Sequence, residues 1–180
     1  LVNYILDGIQ GVKGISDEEL NNYLGQCYFL RAFHYFNLVR YFGDIPLRDK
    51  PVYDASPATL NIPLSTKNEI YELIISDLEL AEQYFAGKGK GDVSFANEGA
   101  VKALLAKVYL YQKNWTNALA KANEVIAMGY SLEMTDYAAI FNETSVNKEI
   151  IFQIDFAESA DASNGLNNWL TPYGRFEVAK

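Results

Sequence analysis

The chain is poor in the residue types on which most metal sites and nucleophilic catalysts depend. Its 180 residues include one cysteine, Cys27, and one histidine, His34. A single cysteine forms no internal disulfide, and one cysteine with one histidine does not make a zinc site. Because Cys27 lies within an apolar helical pattern, we expect it to be a small buried core residue. The sequence predicts no metal and no cofactor.

Long apolar runs and positive charge are also scarce. No run of 18 apolar residues is present, so no membrane-spanning helix is predicted. The formal net charge is −8, which disfavours nucleic acid and anionic membrane surfaces as partners. Hydrophobic residues nevertheless make up 49% of the chain and aromatic residues 14%. This composition is typical of a folded domain with a real core.

The periodicity predicts helices that stack in pairs. A capping box of Ser16 and Glu19 begins the first long helix, which is apolar almost all round over residues 28–42 and is therefore expected to be buried on most sides. Gly43 is predicted to end it. Residues 47–64 are predicted to be an extended connection. A second box, Thr66 and Glu69, begins the next helix, over 67–86.

The following two helices have a tetratricopeptide-like rhythm. Asn97 is predicted to cap a helix over 98–112, and a tight turn leads to another over 115–128, with Trp115 at a packing position. Residues 149–156 are rich in β-formers and predict a short strand, 137–141 a short helical turn, and 157–180 an irregular loop. The predicted fold class is therefore mainly α, with tetratricopeptide-like helical hairpins (16–42 with 67–86, 98–112 with 115–128), a short strand and irregular loops.

The sequence gives little support to catalysis. A serine-type triad would have to use His34, which is better interpreted as a structural side chain hydrogen-bonded within the helical stack. The acidic side chains that a glycoside hydrolase would need are present, but we expect the following four to lie on solvated helix faces: Asp77, Glu79, Glu82 and Glu124. A carbohydrate-active hydrolase is therefore disfavoured, and the chain is predicted not to be an enzyme.

Residues 29–47, FLRAFHYFNLVRYFGDIPL, resemble the central signature of the SusD/RagB family, F-L-R-A-x-x-Y-F-x-L-V-R-x-F-G-D-V-P-L. Further segments are similar in the expected order: 62–66, 70–78, 103–118 and the "E-I-I-F" segment 149–152. The resemblance thus covers nearly all of residues 3–156. Gln26 and Cys27 depart from it, because the family usually has Glu and Ala there. We interpret the signature's glycine, proline and arginines as mainly fold-building rather than ligand-binding.

The resemblance implies a SusD-like helical region over 1–156, followed by a loop at 157–180 that leads into a further C-terminal portion; both ends are expected to be cut. It also implies a function. Such proteins are surface-exposed outer-membrane lipoproteins that bind oligosaccharides or other nutrients and deliver them to a TonB-dependent transporter of the SusC type, without catalysis. The membrane would be reached only through a lipid anchor outside this segment. A tetratricopeptide-type protein–protein adaptor remains the alternative.

A candidate ligand site lies in the segment 164–176, NGLNNWLTPYGRF. It sets aromatic rings among amides and a guanidinium, and its candidate residues are Asn167, Asn168, Trp169, Tyr173 and Arg175. Exposed rings offer a face on which a sugar can stack, and the polar groups can hydrogen-bond hydroxyls. The alternative is that Trp169 packs against a C-terminal portion.

Overall fold

The computed structural model describes residues 1–54, 56–132 and 148–154. The chain forms six α-helices in this part, in the order α1 Val2–Gly8, α2 Asp17–Phe42, α3 Pro57–Leu60, α4 Lys67–Phe85, α5 Glu98–Tyr111 and α6 Trp115–Ala127, with a single 3-10 turn at Ile9–Gly11 after α1. The mainly α fold class is confirmed. None of the helices in the described ranges is long and apolar enough to span a membrane.

The helix ends follow the local sequence signals. Ser16 and Thr66 each accept a hydrogen bond from the backbone N–H three residues on. The glutamate side chains at those positions, Glu19 and Glu69, accept one from the backbone N–H of the cap residue, so both predicted capping boxes form. Asn97 caps α5 in the predicted manner. Gly43 ends α2 with a φ of +76°, a conformation that L side chains rarely adopt.

The predicted hairpin pairs are confirmed. Helix α2 packs on α4, α5 packs on α6, and α5 also packs on α4, which joins the two pairs. One continuous core lies between them, and its largest fully buried apolar side chains include Phe29, Phe36, Ile74, Leu78 and Leu105. Burial of these side chains, at about 1.5–3 kcal/mol each, is the main force that holds the pairs together.

Two adjacent residues fix where α2 meets the rest of the stack. A Cβ added at Gly25 would lie 2.7 Å from Cζ of Phe85, so glycine leaves the space that the buried Phe85 ring at the end of α4 occupies. Gln26 donates from Nε2 to the carbonyl of Ala96 (2.7 Å) and accepts from its N–H at Oε1 (3.0 Å). A carboxylate could not make the first bond, so the amide at this departure from the family pattern has a structural use.

The connection 47–64 is more structured than predicted, because it contains α3. Ser56 caps this helix and Pro57 occupies its first position, where a missing N–H costs nothing. The Arg48 guanidinium donates to the carbonyls of Thr59 and Leu60, at 2.9 and 2.6 Å. These two hydrogen bonds from Arg48 fix the path of the connection.

The prediction of a strand at residues 149–156 is wrong over its described part. Residues 150–154 are irregular. Gln153 donates its N–H to the carbonyl of Val93 (2.9 Å), and Phe152 packs edge-on against Phe29. A strand needs a paired neighbour along its length, whereas this segment is held by the bond to Val93 and by the packing of Phe152. The predicted turn at 137–141, the loop at 157–180 and the boundary at 156 lie outside the described residues.

Candidate functional site

The signature helix α2 is tied to α4 by a buried ion pair. Arg31 donates from Nε and Nη2 to the two carboxylate oxygens of Asp77, both at 2.8 Å. Its remaining nitrogen, Nη1, donates to Asn3 Oδ1 and to the carbonyl of Asp49, both at 2.9 Å. One guanidinium therefore joins α1, α2, α4 and the connection after α2, which supports a fold-building role for this arginine.

The expectation that Asp77 lies on a solvated face is wrong, since it is only 1% exposed. Burial raises the pKa of the Asp77 carboxyl, while the hydrogen bonds and charge of Arg31 oppose that shift. Both Asp77 oxygens are engaged by the guanidinium. This carboxylate is thus a structural partner with no free oxygen directed at a ligand.

The turn after α2 positions the start of α4. Asp44 accepts the N–H of Lys67 at Oδ1 (2.9 Å), and the N–H of Ser65 donates to the carbonyl of Ile45 (2.9 Å). The bond from Asp44 therefore reaches a helix 23 residues away rather than only the local backbone. The FGDIP segment of the signature therefore connects the end of α2 to the start of α4 through these two hydrogen bonds.

The end of α2 is less buried than its composition predicts. Leu38, Tyr41 and Phe42 are exposed, and the last two rings meet edge-on with centroids 6.4 Å apart. His34 is exposed as well, with its ring edge-on to Phe33, so the interpretation of a histidine hydrogen-bonded within the stack is wrong. Within the described residues, this apolar helix therefore has one exposed face near its end.

A cluster of opposite charges links the last three helices. Lys102 of α5 contacts Glu82 of α4 (3.3 Å) and also pairs with Glu124 of α6. Lys121 contacts the same two carboxylates at 2.7 and 3.2 Å. Burial opposes the charge of Lys102, but the carboxylates of Glu124 and Glu82 outweigh it and raise its pKa. The cluster engages both carboxylates, and the hydrogen bond from Lys102 lowers the pKa of Glu124.

The outer side of the α5–α6 hairpin carries an apolar groove of about 390 Å³. Small side chains, Ala106, Ala118 and Ala122, form its base, and its edges are large exposed side chains, among them Trp115 and Leu119. We call this feature the α5–α6 groove. Its lining has one charged residue, Lys107.

The expectation that Trp115 occupies a packing position is wrong for the described part of the molecule, where its side chain is 61% exposed. In helical repeats, a ring at this place packs against a neighbouring repeat. All the residues that line the groove belong to α5 and α6, and no other described helix contributes to it. The tetratricopeptide-like rhythm is a local sequence pattern, whereas the burial of Trp115 depends on what packs against the outer side of α5 and α6.

The residues predicted as a ligand site, Asn167, Asn168, Trp169, Tyr173 and Arg175, lie outside the described residues. Their role stays a prediction. The other candidates for chemistry are inert or isolated: Cys27 is buried, and burial raises the pKa of its thiol, although Arg31 partly opposes this. Within 1–54, 56–132 and 148–154, no cluster of three His, Cys, Asp or Glu side chains could hold a metal ion.

The comparisons with known proteins agree on one family. The SusD-like family model described as starch-binding and associating with the outer membrane matches residues 1–110. SusD-like protein P2 of Formosa agariphila is 35% identical over 160 residues, which is 83% of this chain and 30% of that protein. The chain belongs to the SusD-like family, and it spans about 30% of the length of the curated relatives it matches.

Solved structures give the same result for the fold. A SusD-like protein from Bacteroides fragilis superposes with a TM-score of 0.76 at 30% identity, over 88% of this chain and 32% of that one. A laminarin-binding SusD-like protein superposes with a TM-score of 0.64 at 28% identity, over 73% of this chain and 30% of that one. The helical stack described above is therefore part of a SusD-like fold.

Proposed function

We propose that the whole protein binds oligosaccharides at the cell surface. The observation that carries this proposal is the match of the signature region, within residues 1–110, to the starch-binding family model. One related solved structure is named as a laminarin-binding SusD-like protein, and laminarin is a carbohydrate. The described helices supply a rigid frame tied by Arg31 and the Lys102 cluster, which is what a binding protein needs to hold a site in place.

The proposal includes no catalytic step. Asp77 is sequestered by Arg31, and Glu82 and Glu124 are held by two lysines. Binding therefore accounts for the described side chains better than hydrolysis does. Incubation of purified protein with the oligosaccharide it binds should leave the ligand intact, as chromatography of the products would reveal. Cleavage that one carboxylate substitution abolishes would contradict this.

The ligand-contacting residues proposed here are Trp169 and Tyr173, with Asn167, Asn168 and Arg175 as hydrogen-bonding partners. A sugar face stacks on an aromatic ring while neighbouring amides bond its hydroxyls. A glycan array on the full-length protein identifies a ligand, and calorimetry then measures its affinity. Trp169→Ala should cost about 1–3 kcal/mol of binding free energy, with base–aromatic stacking as the nearest calibrated analogue.

The matched control for this measurement is Tyr41→Ala, which removes an exposed ring at the end of α2 instead. It should leave binding unchanged. If Trp169→Ala and Tyr173→Ala both fold normally and bind as tightly as the unaltered protein, the segment 164–176 is not the site. Equal losses at Trp169 and Tyr41 would likewise point to a general effect rather than a contact.

We further propose that the protein is lipid-anchored at the outer membrane and passes its ligand to a TonB-dependent transporter of the SusC type. The family description, which associates these proteins with the outer membrane, supports this location. Detergent extraction followed by affinity purification of the full-length protein should recover such a transporter. Recovery of soluble cytosolic proteins alone would favour the tetratricopeptide-type adaptor instead.

A further inference from the structure

Two tyrosines and one carboxylate form an open corner where α1 meets the connection after α2. The rings of Tyr4 on α1 and Tyr53 on the connection meet edge-on, with centroids 5.4 Å apart and an interplanar angle of 87°. The Tyr53 hydroxyl donates to Asp7 Oδ2 (2.6 Å), and the Tyr4 hydroxyl donates to the carbonyl of Val52. We call the three side chains of Tyr4, Asp7 and Tyr53 the Tyr53 corner.

The backbone on both sides of the Tyr53 corner is fixed by a neighbouring amide. Asn3 donates from Nδ2 to the carbonyls of Arg48 and Lys50, at 2.8 and 3.2 Å. Its Oδ1 accepts from Nη1 of Arg31 (2.9 Å), the guanidinium that also reaches α4. The connection is therefore bonded to α1 directly beside the corner. A site that is already formed loses less conformational freedom when a ligand binds.

The Tyr53 ring is open to solvent although its direction is fixed. Tyr4 is 43% exposed, whereas Tyr53 is 74% exposed, so the core gains little from the Tyr53 ring. A hydrogen bond between exposed side chains replaces bonds to water and contributes only modestly to stability. The bond to Asp7 instead orients the ring, and it raises the pKa of the Tyr53 phenol, which remains a donor.

The chemistry of the Tyr53 corner suits a neutral sugar. An exposed aromatic face can stack against the apolar face of a sugar ring. The second carboxylate oxygen, Asp7 Oδ1, has no hydrogen-bond partner in the part of the chain that the structure describes. Such an oxygen accepts hydrogen bonds from hydroxyl groups. Because the charged group of the corner is a carboxylate, it repels an acidic sugar and accepts a neutral one.

We propose that the Tyr53 corner binds a neutral oligosaccharide, whose sugar ring stacks on Tyr53 and whose hydroxyl donates to Asp7 Oδ1. The corner lies in a different part of the chain from the segment 164–176, so it is a second contact surface for carbohydrate. This inference rests on the proposed function, because the oligosaccharide is the one that the whole protein binds.

A glycan array that carries neutral and uronic-acid oligosaccharides, probed with the full-length protein, selects the sugar for the test. Calorimetry then measures the affinity of each variant for the neutral oligosaccharide that binds most strongly on the array. Tyr53→Ala should weaken binding about fivefold or more, with base–aromatic stacking as the nearest calibrated analogue. Tyr53→Phe keeps the ring and should retain most of the affinity.

The carboxylate and the control are tested in the same assay. Asp7→Asn should weaken binding, because a neutral amide oxygen accepts a weaker hydrogen bond than a carboxylate does. Tyr41→Ala removes a ring that is 77% exposed at the end of α2, outside the Tyr53 corner, and should leave the affinity unchanged.

The outcomes separate this inference from the proposed function. Unchanged affinity in Tyr53→Ala would overturn the inference, and weaker binding by Trp169→Ala in the same assay would then leave the proposed function standing. If the unaltered protein binds no sugar on the array, both are overturned. Binding confined to the uronic-acid oligosaccharides would overturn the inference alone.

Footprinting of the unaltered protein covers the case in which Tyr53→Ala fails to fold. Saturation with the same neutral oligosaccharide should slow hydroxyl-radical oxidation of Tyr53 several-fold and leave that of Tyr41 unchanged. Equal oxidation of Tyr53 with and without the sugar would overturn the inference. So would a Tyr53 ring that is already protected before any sugar is added, because the rest of the polypeptide would then cover it.

Discussion

At the residue scale, the Arg31–Asp77 pair is the polar contact that joins the most elements of the described fold. Asp77 is almost fully buried and Arg31 is largely so, with side-chain exposures of 2% and 11%. Such a pair contributes only modestly to the free energy of unfolding. Removing one partner is strongly destabilising, because the other buried charge then has no counter-charge. The same guanidinium also holds Asn3 and the backbone at Asp49.

We therefore predict that Asp77→Ala lowers the free energy of unfolding by about 3–5 kcal/mol, as measured by urea denaturation. The double variant Arg31→Met, Asp77→Leu removes both charges and should recover much of that loss. Glu72→Ala, an exposed position on the same helix, is the control and should change stability by less than about 0.5 kcal/mol. A double variant less stable than Asp77→Ala would contradict this account.

At the element scale, local sequence signals predicted the helices well because each depends on neighbours in the chain. The capping boxes at Ser16 and Thr66 and the glycine at position 43 require only residues within a turn of the helix end. The failures have a different origin. The burial of Asp77 depends on which face of α4 meets α2, and the exposure of Trp115 depends on what lies over α6.

The same reasoning explains the strand that does not form in residues 150–154. A β-rich composition favours an extended backbone, but a strand exists only where another strand pairs with it. Here Ile151 and Phe152 are used as core side chains instead. The candidate ligand segment 164–176 is predicted from its aromatic and amide residues, so its role rests on the binding experiment with Trp169→Ala.

The capping box at the start of α4 gives a prediction at this scale. Thr66→Ala removes the side-chain acceptor for the N–H of Glu69 and should lower the free energy of unfolding by about 0.5–2 kcal/mol. Thr66→Ser keeps an acceptor at the same place and should retain most of the stability. Thermal unfolding followed by circular dichroism compares the two variants, and equal losses in both would contradict the capping explanation.

At the scale of the whole molecule, the two helical pairs form one body because α4 and α5 pack together and because the charge cluster crosses their junction. Lys102 and Lys121 each reach carboxylates on other helices, so α4, α5 and α6 are linked through four side chains. The cluster is partly exposed, and its contribution is therefore modest and sensitive to salt. It nevertheless makes the alignment of the three helices depend on pH.

The direction of that dependence follows from Glu124. The hydrogen bond from Lys102 lowers the pKa of the Glu124 carboxyl below its usual value near 4.5; burial opposes the shift, and Lys121 adds to it. Because the folded state holds the carboxylate more tightly ionised than the unfolded state does, this stabilisation is complete above about pH 4.5. It is lost as the pH falls through the lowered folded-state pKa. Protonation of Glu124 would leave Lys102 with one carboxylate fewer.

Glu124→Gln should therefore be less stable than the unaltered protein at pH 7, and the difference should shrink as the pH falls below about 4.5. Urea midpoints measured between pH 7 and pH 3 test this. Glu72→Gln, which changes an exposed carboxylate outside the cluster, provides the matched control. Some acid sensitivity should remain in the variant, because hydrogen bonds from the backbone of Ser16 and Thr66 also lower the pKa of Glu19 and Glu69. If the curves for Glu124→Gln and the unaltered protein run parallel down to pH 3, Glu124 does not stabilise the junction through its charge.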